Sequence, residues 1–215
     1  QLYQQLAVLM AAHPSLAGAL RQGEEADVRA ILVATADKTG ALDVQLADRE
    51  GRVLASAKGM IDDGLAASAS FVRAMTGALG EGHGINPVGG QRSYTFAAPI
   101  FGPDAQVQGA VIVLVDIGLV EAEWRGARPT VFFTDDAGLV FITNRSELLF
   151  WRRGPGQVGL SSPTGVEGEF SFVRQGPHMI WRESWSPYIP ARALHLARDL
   201  PVIGMRAEAL VDVEP

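Results

Sequence analysis

The 215-residue chain contains no cysteine. Thiol catalysis, disulfide staples and cysteine-ligated metal are therefore excluded, although the compartment is not decided, because cysteine-free chains occur on both sides of a bacterial membrane. Positive charge is also scarce. Eighteen Lys and Arg face 24 Asp and Glu, for a net charge of −6, and no basic run occurs. Nucleic acid is thus not an expected partner, since phosphate neutralisation needs clustered cations, and nothing supports binding to an anionic membrane surface. No apolar run reaches the ~18 residues of a membrane span. Gln1 is not a start methionine, so the sequence reads as a piece of something longer whose signals or spans lie outside it.

Catalytic patterns are missing as well. There is no GxSxG elbow and no P-loop. The four histidines, His13, His83, His178 and His195, lack HExxH-type spacing, so neither a metal nor a cofactor is expected. Gly154-Pro155-Gly156-Gln157-Val158-Gly159 matches GxGxxG, but Ser161-Ser162-Pro163 follows where a dinucleotide site needs a helix, and a surface loop is expected. The pairs Asp62-Asp63 and Asp135-Asp136 read as turn carboxylates that accept amide protons. Nothing assembles a nucleophile, a base and an oxyanion site, so this chain is not read as an enzyme.

What is present is an ordinary globular composition, 47% apolar and 20% charged, and a repeat. VFFTDDAGLVFIT, residues 131–143, reads as two short strands joined by a turn. Gly138 supplies the positive φ and Asp135 accepts turn amides. VQLADREGRVLAS, residues 44–56, is an earlier copy, with Asp48 on Asp135 and Gly51 on Gly138. An echo follows each copy: Pro99-Ile100 then Val113–Ile117 (VLVDI), and Pro201-Val202 then Ala209–Val213 (ALVDV). Two similar units in tandem are expected.

The apolar pattern predicts helices over 1–12, with Leu2, Leu6, Leu9 and Met10 along one face, from Pro14 to Arg21, and over 24–36, with Val28, Ile31 and Leu32 inward. A further helix is expected over 68–79. The glycine-rich stretch 80–91 reads as a loop without regular structure, a length that is usually functional. Strands are expected over 92–101 and 109–117, and a short helix over 118–125. The second unit offers a helical turn over 146–153, a Gly/Pro/Ser loop over 154–168, and strands over 169–174, 178–183, 193–198 and 205–213. The fold class is α+β: a helical segment 1–40, a first unit 41–126 and a smaller second unit 127–215, each with a mainly antiparallel sheet.

Arg92-Ser93-Tyr94-Thr95-Phe96-Ala97-Ala98-Pro99 is similar to an RGYYFSAP-like strand, Gly109–Ile117 to a GVVVVKVDL-like strand and residues 131–143 to VTDADGVVFLSS. These segments, with the closing LPVIGMRAEALVDV, resemble the extracytoplasmic tandem PAS-like (double Cache, or PDC) sensor domains of bacterial histidine kinases, in particular the C4-dicarboxylate sensors of the DctB type. The resemblance runs over most of the chain. It implies a periplasmic, membrane-distal first unit that binds a small ligand, and a membrane-proximal second unit that relays the change to a span beyond the chain. It implies a ligand site over the first sheet, closed by the helix over 68–79 and the loop over 80–91, with Ser70, Arg73, His83, Arg92 and Tyr94 as its residues. Arg92 also reads as an exposed strand-start cation, and Tyr94 as plain core. The apolar stripe of the first helix reads as packing on its own sheet, as a homodimer seam, or as both.

Two departures bear on the ligand. The dicarboxylate sensors carry an FRPYF-like helix motif, where this chain has Phe71-Val72-Arg73-Ala74-Met75. The arginine is displaced by one residue, roughly 100° around a helix. The strand lysine is replaced by Leu114. A dianion needs cationic clamps in a dry pocket, so a monocarboxylate, a less charged ligand or no ligand fits at least as well as succinate. A chemoreceptor or cyclase sensor would read alike, and a ligand-free dimerisation or partner-protein module is the alternative of another class.

Overall fold

Three helices open the chain: α1 (Leu2–Ala11), α2 (Pro14–Gln22) and α3 (Glu25–Thr39). Pro14 sits at the first position of α2, where its missing N–H costs nothing. Helix α3 runs three residues past the expected Ala36 and stops where Gly40 takes φ +68°, the left-handed cap that glycine adopts without strain. The stripe expected along α1 holds for Leu6 and Met10 and fails for Leu2 and Leu9. Ala7 and Met10 are buried with Tyr3 and Leu6 packed beside them, whereas Leu2 and Leu9 are 63% and 71% exposed. Leu2 and Leu9 lie one helical stripe, about 100°, away from the sheet-facing residues.

A computed structural model describes residues 2–22, 25–60, 64–85, 90–165, 168–201 and 203–213. The expected turn carboxylates Asp62 and Asp63, residues 86–89 of the glycine-rich stretch and Val202 lie outside the described residues. The chain divides into two compact units, Gln1–Gly118 and Leu119–Pro215. The fold is α+β, with two antiparallel sheets.

The first sheet consists of β1 (Asp43–Asp48), β2 (Val53–Ser56), β3 (Gly80–Ile85), β4 (Arg92–Phe101) and β5 (Val107–Asp116), in the order β2-β1-β5-β4-β3. One face carries Val44, Leu46, Val111, Val113 and Val115 into a core with Leu16, Val28 and Leu32 of the helices. The opposite face packs Ala47, Ala97, Ala110 and Ile112 against Leu65, Phe71 and Ala74. These last three come from a 3-10 turn, Leu65–Ala67, and helix α4 (Ala69–Met75). Helix α4 is shorter than the span expected over 68–79. Ser68 caps it by accepting the Phe71 amide at 3.3 Å, and Gly77 at φ +87° ends it.

The stretch 80–91, expected to lack regular structure, holds strand β3, paired residue for residue with β4. Gly80 serves contact rather than flexibility. A Cβ on Gly80 would sit 1.8 Å from the Ser70 carbonyl oxygen, so the strand tolerates glycine alone where the α4 backbone lies on it.

The second unit contains α5 (Ile117–Ala122), whose first residues belong to the first unit, then β6 (Thr130–Asp135), β7 (Val140–Thr143), β8 (Phe170–Gln175), β9 (His178–Glu183), β10 (Arg192–Leu200) and β11 (Met205–Asp212). Its sheet runs β7-β6-β11-β10-β9-β8, the first sheet's order with one strand added at the edge. The two hairpins agree in detail. Both carry a register shift at the same place, between Leu46 and Ala47 and between Phe133 and Thr134. Asp48 Oδ1 accepts the Glu50 and Arg52 amides, and Asp135 Oδ1 accepts those of Ala137 and Leu139. Gly51 and Gly138 take φ +83° and +74°. The proline echo does not hold: Pro99 lies inside β4, whereas Pro201 lies in the turn after β10. The segment 154–159 forms a loop with no helix after it.

Candidate functional site

Strand alternation assigns each residue of the first sheet to a face, because directly opposed residues of antiparallel strands point the same way. Tyr94 opposes Val115 and His83, and Arg92 opposes Ile85. Val115 belongs to the core beneath α1–α3, so Tyr94, His83 and, by alternation, Arg92 fall on that face. The Tyr94 ring lies 5.1 Å from Phe96, and its hydroxyl donates to Glu81 Oε2 at 3.0 Å. Burial, then the charge of Glu81 and this bond, push the phenol well above its ordinary range. Tyr94 is an anchored wall residue of the helix-covered side.

Ser70 is buried on α4, on the opposite face, with its hydroxyl 3.3 Å from that of Ser68. Arg73 is exposed, and its Nε donates to the Leu79 carbonyl at 3.0 Å. The five residues expected to form one site thus do not converge. Ser70 lies under α4, Arg73 closes the helix end from outside, and the other three belong to the far face of the sheet.

The face beneath α4 has an apolar half and a polar half. The polar half carries Asp43, Gln45 and Ser56 from β1 and β2, Ser93 and Thr95 from β4, and Asp116 from β5. Asp43 is fully buried and saturated. It accepts the Val44 and Lys58 amides on Oδ1 at 2.8 and 3.0 Å, and Gln45 Nε2 and the Ser56 hydroxyl on Oδ2 at 3.0 and 2.6 Å. Asp116 is half-buried opposite Ser93, and its Oδ1 accepts the Gly118 amide at 2.7 Å. Leu114 stands between Asp43 and Thr95. The charged strand residues of this face, among those described, are two carboxylates. The sequence reading missed both, although the alternation of Gly109–Ile117 already separated Leu114 and Asp116 from Val113 and Val115.

The matching face of the second unit is differently filled. By register, Phe132 replaces Gln45, Glu208 replaces Ile112 and Leu210 replaces Leu114. The Glu208 carboxylate, fully buried, receives both arms of Arg153 at 2.6 and 2.7 Å and the His195 ring at 2.6 Å. Burial alone pushes Glu208 up, but the bonds and charges of His195 and Arg153 together hold it below the usual carboxylate range. His195 stacks on Trp181 at 4.2 Å, and the Arg153 guanidinium lies over the same indole. An internal carboxylate occupies the cationic fork. Around it Trp151, Phe170 and Trp185 form an aromatic cluster.

No cluster of three or more metal-type side chains occurs among the described residues, and no described helix is long and apolar enough to cross a membrane.

No family model and no curated relative matches this chain. Solved structures do. The sensor domain of the V. cholerae histidine kinase DctB superposes with a TM-score of 0.76 at 21% identity, covering 99% of this chain and 90% of that one. The ligand-binding domain of the Pseudomonas fluorescens chemoreceptor CtaA, solved with L-alanine, gives 0.59 at 15% identity over 97% and 87%. The Campylobacter jejuni chemoreceptor Tlp3 domain, solved with L-valine, gives 0.58 at 16% over 95% and 79%. The fold of this chain is that of the double Cache sensor domains, as the sequence resemblance implied.

Proposed function

We propose that this chain is the extracytoplasmic, periplasmic sensory region of a bacterial transmembrane receptor, a sensor histidine kinase first and a chemoreceptor second. The first unit binds a small ligand between its sheet and α4. Binding biases the packing of α4 on β3, and the second unit passes the change to spans outside this chain. One observation carries the ligand class. The polar half of the face beneath α4 presents Asp116 with hydroxyls from Ser93 and Thr95 beside it, and Leu114 where the dicarboxylate sensors place a cation. A face whose charged strand groups are carboxylates attracts an ammonium and repels a dianion. Among the ligands the sequence left open, the reading therefore favours an amino acid or amine, and the amino-acid complexes of similar chemoreceptor domains support it.

A ligand-free partner-protein or dimerisation module is the second reading, favoured by Leu2, Val8 and Leu9 exposed along α1. Thermal-shift titration with L-alanine, L-valine, L-asparagine and succinate separates the two. A ligand at 100 times its Kd adds about 2.7 kcal/mol to stability. The expected result is a shift with an amino acid that Asp116→Asn removes. A shift with succinate alone refutes the ligand class, and no shift with any of the four favours the partner-protein module.

A further inference from the structure

The second unit holds a recess that the reading above does not use. It has a volume of about 510 Å³ and is walled by Trp151, Phe170, Phe172 and Trp185, within the size range of small-molecule sites. The loops around it lie close against the rings. A Cβ on Gly159 would come within 2.8 Å of the Phe170 ring, and one on Gly168 within 2.9 Å of Trp185, so the shape of the recess is set by glycines that allow this approach. Among the described residues its lining contains no charged side chain.

Beside it stands a carboxylate in an unusual state. Glu183 directly opposes Phe170 across β8 and β9, and Phe170 is shared between this recess and a neighbouring one lined by Glu183. Glu183 is 5% exposed. Its Oε2 accepts the Trp185 amide at 2.5 Å, while its buried Oε1 has no hydrogen-bond partner. The nearby cations do not serve it. Arg182 and Arg192 oppose each other across β9 and β10, on the other face of the sheet by alternation. Glu169, Arg182 and Arg192 line the neighbouring recess together with Glu183, and neither arginine forms a bond to the buried Glu183 Oε1. Burial, offset in part by the Trp185 amide, raises the Glu183 carboxyl to about 7. An unpaired buried carboxylate oxygen is costly, and a cation with an N–H donor is the partner that removes the cost. Aromatic walls are the surroundings in which an organic cation is held.

We propose that the second unit has its own ligand site, for a small primary organic ammonium ion. The apolar body of the ligand lies among Trp151, Phe170, Phe172 and Trp185, and its ammonium group donates to Glu183 Oε1.

All four tryptophans, Trp124, Trp151, Trp181 and Trp185, belong to the second unit, so their fluorescence reports on it. The test titrates the 215-residue chain with benzylammonium and, as a neutral counterpart, benzyl alcohol. Saturable quenching is expected with benzylammonium, with at least tenfold weaker binding of the alcohol. Glu183→Gln, which keeps an acceptor for the Trp185 amide, weakens benzylammonium at least tenfold. Phe172→Ala, at a residue already 42% exposed, weakens it severalfold. Asp116→Asn in the first unit leaves the titration unchanged. The proposal is overturned if benzyl alcohol binds as well, if Glu183→Gln has no effect, if no saturable change appears, or if Asp116→Asn alone abolishes it.

Discussion

Glu208→Ala tests whether the buried charge cluster of the second unit holds that unit together. The carboxylate is fully buried, and the side chains of Arg153 and His195 are 17% and 10% exposed. Truncation removes three charge-assisted bonds and leaves the Arg153 guanidinium in a site shaped for a carboxylate. Its Nε is already buried without a partner, so no spare bond compensates. Breaking a buried pair from one side costs ~3–5 kcal/mol. For a unit of this size each kcal/mol moves the midpoint by ~4–8 °C, so a fall of about 12 °C or more is expected. The pH dependence has a definite sign. The folded carboxyl lies below its ordinary value of 4.5, so its contribution is complete above about 4.5 and is lost as pH falls through the lower, folded value. Urea denaturation read by tryptophan fluorescence should show a gap between wild type and Glu208→Ala that is constant from pH 8 to 5 and closes below it. Arg153→Met with Glu208→Leu should regain most of the loss, because apolar replacement of the whole pair removes the stranded charge. A loss under ~1 kcal/mol for the single variant, or a gap that widens in acid, refutes the reasoning.

Two further outcomes follow from contacts of other kinds. Gly80→Ala should cost more than ~2 kcal/mol in chemical denaturation, as a close backbone clash does, because its Cβ would meet the Ser70 carbonyl at 1.8 Å; Gly84→Ala on the same strand, with nothing within 4 Å, should cost little. Glu183 is the reverse of Glu208. Its folded value, about 7, lies above the unfolded 4.5, so stability is greatest below about 4.5, declines as pH rises to 7 and then levels, by at most ~3 kcal/mol. Glu183→Gln should match wild type near pH 4 and exceed it at pH 8, and equal stabilities at pH 8 would contradict the burial of a charged oxygen there.

The hairpins were legible in the sequence because turn chemistry is local. Asp48 and Asp135 lie three residues before Gly51 and Gly138, and both the acceptor and the positive φ are properties of single residues. The strand over 178–183 and the helix ends near Pro14 are legible for the same reason. Strand β3 was not. Gly80 marks a close approach by α4, a contact made with Ser70 ten positions earlier, and composition alone does not separate contact from looseness. The faces of α1 and β4 failed differently. The expected stripe of Leu2, Leu6, Leu9 and Met10 holds at Leu6 and Met10, but the sheet selected the side of Ala7, where a small side chain lets the helix approach, and left Leu2 and Leu9 exposed. Arg92 and Tyr94 resemble family residues by position along the strand, and only the pairing of Tyr94 with Val115 reveals which side of the sheet they serve. Arg153, Glu208 and His195 are separated by tens of residues, and nothing local links them.

The two sheets share strand order, hairpin register and bulge, yet the same positions do different work. In the first unit Gln45, Ile112 and Leu114 are neutral and of moderate size, and a short helix packs on Ile112 and Leu114, kept close by Gly80. In the second unit Phe132 and Glu208 stand at the first two positions, and a 3-10 turn and loop carrying Arg153 take the place of α4. On the proposed reading, a face closed by a helix resting on Gly80 responds by sliding or tilting that helix, and a ligand there would be converted into backbone displacement. A face closed by a charge triad and stacked rings resists such displacement, since moving Arg153 strands a buried carboxylate. On the proposal made above, its ligand-responsive part is the rim, where Glu183 Oε1 has no hydrogen-bond partner.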